Sequence, residues 1–188
     1  AAAPQRQVQK VEVEVERQKP WPKEAVEAFG TIPIQDRGRV KPLFTYAGFR
    51  MLNMNGKRSY TIPEGFGLPT GGERLGQVEW LMDVMLFPEQ ARNYEIFLVN
   101  DSAVLEAVGL RFEGRKKRDR YSFNQLRPGL AKLEAEYRKA VAKRQREEKL
   151  DPVETQTLAL FSAVAEYDLL ETTFSSLQTT LGEAPSAR

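Results

Sequence analysis

The chain has 188 residues, is 41% hydrophobic and 29% charged, and carries a formal net charge of +2. That length suits one domain with a sizeable core, and the near-neutral balance argues against a dedicated nucleic-acid binder. Cysteine and histidine are both absent, which excludes disulfides, thiolate nucleophiles, cysteine zinc sites, CxxCH haem attachment and histidine ligation or general-base chemistry.

The chain opens Ala-Ala-Ala-Pro without basic and apolar signal regions, as in a chain from which a signal has been removed or in a trimmed piece of one. Residues 1–20 read as an extended N-terminal arm. Within it Val11, Val13 and Val15 alternate with Glu12, Glu14 and Glu16. A period of two predicts an amphipathic strand, either at the edge of a home sheet or added to another subunit.

Residues 21–110 form the expected body of a single α-rich domain. Asp36-Arg37-Gly38 is turn chemistry, because Asp caps its own backbone and Gly accepts positive φ. Pro42 keeps Lys41 extended. The segment should be a tight turn or small hairpin that gathers Arg37, Arg39 and Lys41 near Asp36. Such a loop suits an anionic partner, or it locks itself through an Asp36–Arg39 ion pair.

Residues 43–55 predict a helix with Leu43, Tyr46, Ala47, Met51 and Leu52 on one face, ended by Asn55-Gly56. The Gly- and Pro-rich residues 57–74 read as a loop. No Gly-Lys-Ser/Thr follows its glycines, so it is no phosphate loop. Residues 75–87 predict a second helix, buried through Leu75, Val78, Leu81, Met82, Met85 and Leu86 and stopped by Pro88. Tyr94–Val99 predicts a short buried strand. Asp101 or Ser102 then caps a brief helix that Gly109 ends. Met51, Met54, Met82 and Met85 read as core filling, or as weak haem ligands.

Residues 111–121 are a basic connector. Arg111 to Arg120 holds six cations, Arg111, Arg115, Lys116, Lys117, Arg118 and Arg120, against Glu113 and Asp119. It is either a solvated link or a patch for anionic lipid headgroups, haem propionates or an acidic partner. Residues 122–182 predict a helical hairpin. Ser122 and Gln125 make a capping box for a helix to about Lys149, with Pro128 delaying or kinking its first turns. Asp151, Pro152 and Glu154 supply N-cap, N1 proline and capping-box glutamate for a second helix to about Leu181. Its stripe is Leu160, Val164, Tyr167, Leu170, Phe174, Leu177 and Leu181. Residues 123–150 carry eight cations and four carboxylates, whereas 151–182 carry five carboxylates and no Lys or Arg. The fold class is therefore α+β, predominantly helical, with a small helix and strand body and a long C-terminal antiparallel helical hairpin.

The string Ile32-Pro-Ile-Gln-Asp-Arg-Gly-Arg-Val-Lys-Pro-Leu43, preceded by Trp21-Pro22 and Phe29, resembles a segment of bacterial cytochrome c biogenesis proteins of the system II type. That family usually reads close to IQDGGRxKPLDT, so Arg37 stands where Gly is usual and Phe44 where Asp is usual. The resemblance continues more loosely through Trp80–Pro88, Phe97–Leu110 and Tyr121–Leu126, over roughly residues 21–178. The residues themselves suggest no catalytic activity, since no carboxylate pair has an evident apolar pocket to shift its pKa. The resemblance implies an extracytoplasmic module at the inner membrane. It also implies that this module presents haem or apocytochrome c to a membrane-embedded cytochrome c synthetase. Asp36, Arg37, Arg39 and Lys41 would be its binding residues. The basic patch of Arg115, Lys116, Lys117, Arg118 and Arg120, read from its charge alone, is a second candidate contact, including one to an anionic membrane surface. No tightly bound cofactor is expected, haem being a transient ligand, and no nucleic acid. The residues leave open a structural accessory subunit of a membrane complex, and an enzyme using two carboxylates across a cleft.

Overall fold

Residues 9–182 are described by the structure, a computed structural model, with side chains as far as residue 173. Residues 1–8 of the arm, and the side chains of Phe174, Leu177 and Leu181 in the predicted stripe, lie outside that description. The fold is α+β and mainly helical. Its strands form three two-stranded antiparallel ladders.

After the arm, helix α1 (Lys23–Thr31) leads into strands β1 (Pro33–Asp36) and β2 (Arg39–Pro42). Helix α2 (Leu43–Asn55) follows directly and covers the predicted span, with Gly56 left-handed at φ 70° as its C-cap. The Gly- and Pro-rich stretch holds more secondary structure than expected. It contains β3 (Ser59–Thr61) and β4 (Arg74–Gly76), paired Tyr60 to Leu75. Strands of three residues show no legible period, which is why composition alone reads as loop.

Helix α3 (Gln77–Leu86) starts two residues later than predicted, because Leu75 and Gly76 belong to β4. Leu75, Val78, Leu81 and Met82 are buried as expected, and so is Trp80, but Leu86 is exposed. Pro88 does end this run, and it also opens the short helix α4 (Pro88–Ala91) as its N1 residue. Met51, Met54 and Met82 are core residues.

Strand β5 (Phe97–Val99) pairs with β6 (Asp119–Tyr121), so the basic connector ends in a ladder. Between them lies α5 (Ala103–Ala107), whose first free N–H, that of Ala103, donates to Asp101 Oδ1 at 3.0 Å.

The Ser122–Gln125 capping box is formed and starts α6 (Phe123–Leu126). Pro128 then forces a turn of 3₁₀ helix over Arg127–Gly129, so the predicted continuous helix is split and resumes as α7 (Leu130–Gln145). The Asp151 N–H donates to Glu154 Oε2 and the Glu154 N–H to Asp151 Oδ1, both at 2.8 Å, capping α8 (Pro152–Gly182). Tyr137 stacks near Phe161 at 4.4 Å, and Lys143 pairs with Glu154 at 2.9 Å. The first partner number rises as the second falls, so α7 and α8 are antiparallel. Helix α8 also packs on α2, α3, α5 and β5. Its Leu160, Val164, Tyr167 and Leu170 enter the same core as Met51, Trp80 and Phe97.

The described part of the arm, residues 9–20, forms no strand. Val11 donates its N–H to Phe66 O at 2.9 Å, and Val11 and Val13 pack against the core, while Val15 stands exposed. No neighbouring strand runs beside it among the described residues. The alternation therefore reports an extended segment lying on the body, and extended chain has the same period with or without a ladder.

Candidate functional site

The β1–β2 hairpin is the sharpest sequence motif, and its geometry follows from two residues. Arg37 at φ 51° and Gly38 at φ 76° form the two-residue turn between Asp36 and Arg39. Positive φ at both central positions is what a type I′ hairpin turn requires, and its twist matches that of the strands. Gly38 adopts it freely. Arg37 adopts it against the steric preference of an L side chain.

Asp36, Arg39, Ile34 and Lys41 share one face of the ladder, since Asp36 opposes Arg39 and Ile34 opposes Lys41. The predicted Asp36–Arg39 pair is not formed. Asp36 instead accepts from Lys41 Nζ at 2.8 Å and from Arg50 Nη2 at 3.3 Å. The Lys41 hydrogen bond, with the nearby charges of Arg50 and Arg37, holds the Asp36 carboxyl below the usual carboxylate range. Arg50 comes from α2, pairs also with Glu166 on α8, and lies over the Tyr46 ring at 4.6 Å. These contacts tie the hairpin to two helices. Arg37 and Arg39 project from it, both exposed. Neither has a carboxylate within ion-pair distance among the described residues.

The basic connector is divided between internal work and exposure. Arg115 pairs with Glu95 at 2.6 Å, donates to Arg120 O at 2.8 Å and lies over the Tyr121 ring. Arg120 clasps Asn55 at the end of α2, through its Oδ1 at 2.6 Å and its carbonyl at 2.9 Å. Lys117 reaches Asp101 at 3.0 Å from an exposed position. Lys116 and Arg118 stand in solvent. So Arg115 and Arg120 brace β6, and the patch presented outward centres on Lys116, Lys117 and Arg118.

Sequence reasoning missed a buried polar cluster at Asp83. This carboxylate accepts from Arg17 Nε at 2.8 Å, Trp21 Nε1 at 2.8 Å and the Tyr94 hydroxyl at 2.7 Å. Arg17 Nη2 reaches Asp83 Oδ2 at 3.1 Å and Glu73 at 2.9 Å, and the Arg17 amide donates to Gln90 at 2.8 Å. Gln90 completes the set by donating to the Tyr94 hydroxyl at 2.6 Å. Burial, followed by the charge of Asp83, pushes the Tyr94 hydroxyl pKa far up. A legible signal existed: Asp83 is the lone carboxylate in the apolar run Trp80–Leu86. A second missed pair is Arg92 with Glu171, where Nε donates to Oε2 at 2.9 Å and fastens α8 to the body beyond α4.

The described residues hold no group of three or more His, Cys, Asp or Glu placed to bind a metal ion. A cleft of about 280 Å³ between α2, β5 and the start of α8 is lined by Asn53, Asn100, Thr155, Gln156 and apolar side chains, with no ionisable group. Buried Asp83 and Glu171 both face arginines. What this arrangement does chemically is hold two guanidiniums out from a braced hairpin, where they can donate charge-assisted hydrogen bonds to an anionic group. Comparison with protein-family models, with curated proteins and with solved structures finds no match.

Proposed function

We propose that the protein is a non-catalytic extracytoplasmic module that assists cytochrome c maturation, presenting haem or apocytochrome c to a membrane-bound synthetase. The observation that carries the reading is Arg37. It sits exposed at φ 51°, a conformation that costs an L residue of this size on the order of 1 kcal/mol. Its neighbour Arg39 is exposed too, and the platform beneath them is fixed through Asp36, Lys41 and Arg50. A strained, outward cation on a braced turn fits recognition of a propionate or an acidic peptide better than it fits a role in folding. Lys41 and Asp36 belong to the brace, so the contact is assigned to Arg37 and Arg39. The resemblance of residues 32–43 to the cytochrome c biogenesis segment supplies the partner.

Titration of the protein with haem and with an apocytochrome c peptide, beside an Arg37→Ala/Arg39→Ala variant, tests this. Saturable binding of either ligand that weakens in the variant, with its circular dichroism unchanged, is the expected result. Equal affinity in both proteins would sink the assignment. The alternative of a structural accessory subunit draws on the internal use of Asp36, Lys41 and Arg50, which makes the hairpin a brace between α2 and α8. It predicts that loss of Arg37 and Arg39 leaves every ligand bound as before.

A further inference from the structure

We propose that the outward face of α2 docks on an anionic lipid surface. From Arg37 to Pro63 the chain has six cations, Arg37, Arg39, Lys41, Arg50, Lys57 and Arg58, and neither Asp nor Glu. The whole protein carries a net charge of only +2, so positive charge is concentrated in this segment. Helix α2 occupies its middle. One side of the helix is spent on the core through Ala47, Met51 and Met54. On the other, Phe49 is 51% exposed and Leu52 38%, with Phe44 at 55% in the first turn. Phe49 and Leu52 are three residues apart and so adjacent on the helix surface.

Cations collect around this apolar strip. The Arg58 guanidinium lies 5.7 Å from the centre of the Phe49 ring, and Lys41 Nζ lies 6.0 Å from it. Lys57 and Arg58 are exposed, with no carboxylate within ion-pair distance among the described residues. Two carboxylates from outside the segment reach its cations among the described residues, Asp36 at Lys41 and Arg50 and Glu166 at Arg50, which leaves Lys57 and Arg58 to face outward.

An exposed ring beneath the Arg58 guanidinium, with exposed Lys57 next to it in the chain, fits the boundary between headgroups and acyl chains. There the ring enters the apolar layer while the cations pair with phosphates. A bilayer also accepts a convex helix face without a complementary groove. Each Lys or Arg that reaches the headgroups strengthens binding by about fivefold. This docking uses residues outside the proposed Arg37–Arg39 contact and does not depend on the maturation reading.

Co-sedimentation of the purified protein with vesicles tests it, using phosphatidylcholine with phosphatidylglycerol against phosphatidylcholine alone. The protein should pellet with the mixed vesicles only, and added salt should release it. Lys57→Gln/Arg58→Gln should weaken binding by roughly 25-fold, and Phe49→Ser/Leu52→Ser should weaken it comparably. All four positions are exposed, so circular dichroism should stay native. Absence of binding to mixed vesicles would overturn the proposal, as would binding that both variants retain. Binding of an acidic polypeptide through the same residues, with vesicles ignored, would overturn it in favour of a protein partner.

Discussion

Arg17, carried on the N-terminal arm, donates from Nε to Asp83 Oδ1 at 2.8 Å and from Nη2 to Oδ2 at 3.1 Å, sixty-six residues away in the chain. Both side chains are almost fully buried. The pair fastens the arm over α3 and satisfies the only carboxylate that helix buries.

Removing Arg17 alone therefore leaves a buried, underpaired charge. Arg17→Ala should destabilise the protein by about 3–5 kcal/mol, whereas Arg17→Met combined with Asp83→Asn, which removes the charge but keeps an acceptor for Trp21 and Tyr94, should cost markedly less. Urea unfolding of the three proteins checks this. A double variant as unstable as Arg17→Ala would contradict the reading of an uncompensated charge.

Tyr167 is buried between Phe123, at 5.3 Å, and Phe97, at 5.5 Å, and its hydroxyl finds no hydrogen-bond partner among the described residues. Burial, followed by the charge of Glu171, drives its pKa up. Since the ring packs and the hydroxyl is unpaired, Tyr167→Phe should be neutral or stabilising, by up to about 1 kcal/mol. Tyr167→Ala should cost about 3–5 kcal/mol through the cavity it leaves. Thermal unfolding separates these, and a clearly destabilised Phe variant would show that the hydroxyl is bonded after all.

The capping box at Ser122 is buried and reciprocal, with the Gln125 N–H donating to Ser122 Oγ at 3.2 Å and the Ser122 N–H to Gln125 Oε1 at 2.9 Å. Ser122→Ala should cost about 1–2 kcal/mol, and Ser122→Asp should recover part of it. Denaturant midpoints measured at constant slope are the check. Equal stability of the Ala variant and the parent would remove the cap from the account.

Asp36 gives the hairpin a pH dependence. Its carboxyl titrates below the ordinary range, first because of the Lys41 hydrogen bond and then because of the charges around it. As the pH falls, the unfolded chain takes up this proton before the folded one does. The contribution is thus complete at neutral pH and is lost progressively from about pH 5 downward. In an NMR titration of the Asp36 carboxyl, Lys41→Ala should raise the midpoint more than Arg50→Ala does. The reverse order would place the main partner on α2 instead.

The elements legible in the sequence are those whose cause is local. Asp36-Arg37-Gly38 carries its own turn chemistry, Gly56 its own left-handed cap, and Ser122/Gln125 and Asp151/Glu154 their own reciprocal bonds. These signals need no knowledge of what lies across the fold. The missed features all depend on distant partners. Nothing near Arg17 says that it meets Asp83, and nothing in the Arg111–Arg120 run says that Asp119–Tyr121 finds β5. Asp36 chose Lys41 and Arg50 over the facing Arg39 because α2 brings Arg50 to the hairpin, a placement that only packing decides. Pro128 was legible as a disturbance, though not as a full break between α6 and α7. The candidate site was legible in its residues and turn. Which cations brace it and which face outward came from the tertiary structure.

Maturation of a c-type cytochrome in cells tests the central claim most directly, with the chain's Arg37 and Arg39 both replaced by Ala and the protein's abundance and fold verified. Covalent haem attachment should fall well below that of the unaltered chain, while Arg144→Ala/Lys149→Ala, at two exposed cations far along the sequence, serves as a charge-matched comparison outside both the hairpin and the α2 face. Normal haem attachment in a folded, abundant Arg37→Ala/Arg39→Ala protein would contradict the assignment of the hairpin tip as the presenting surface.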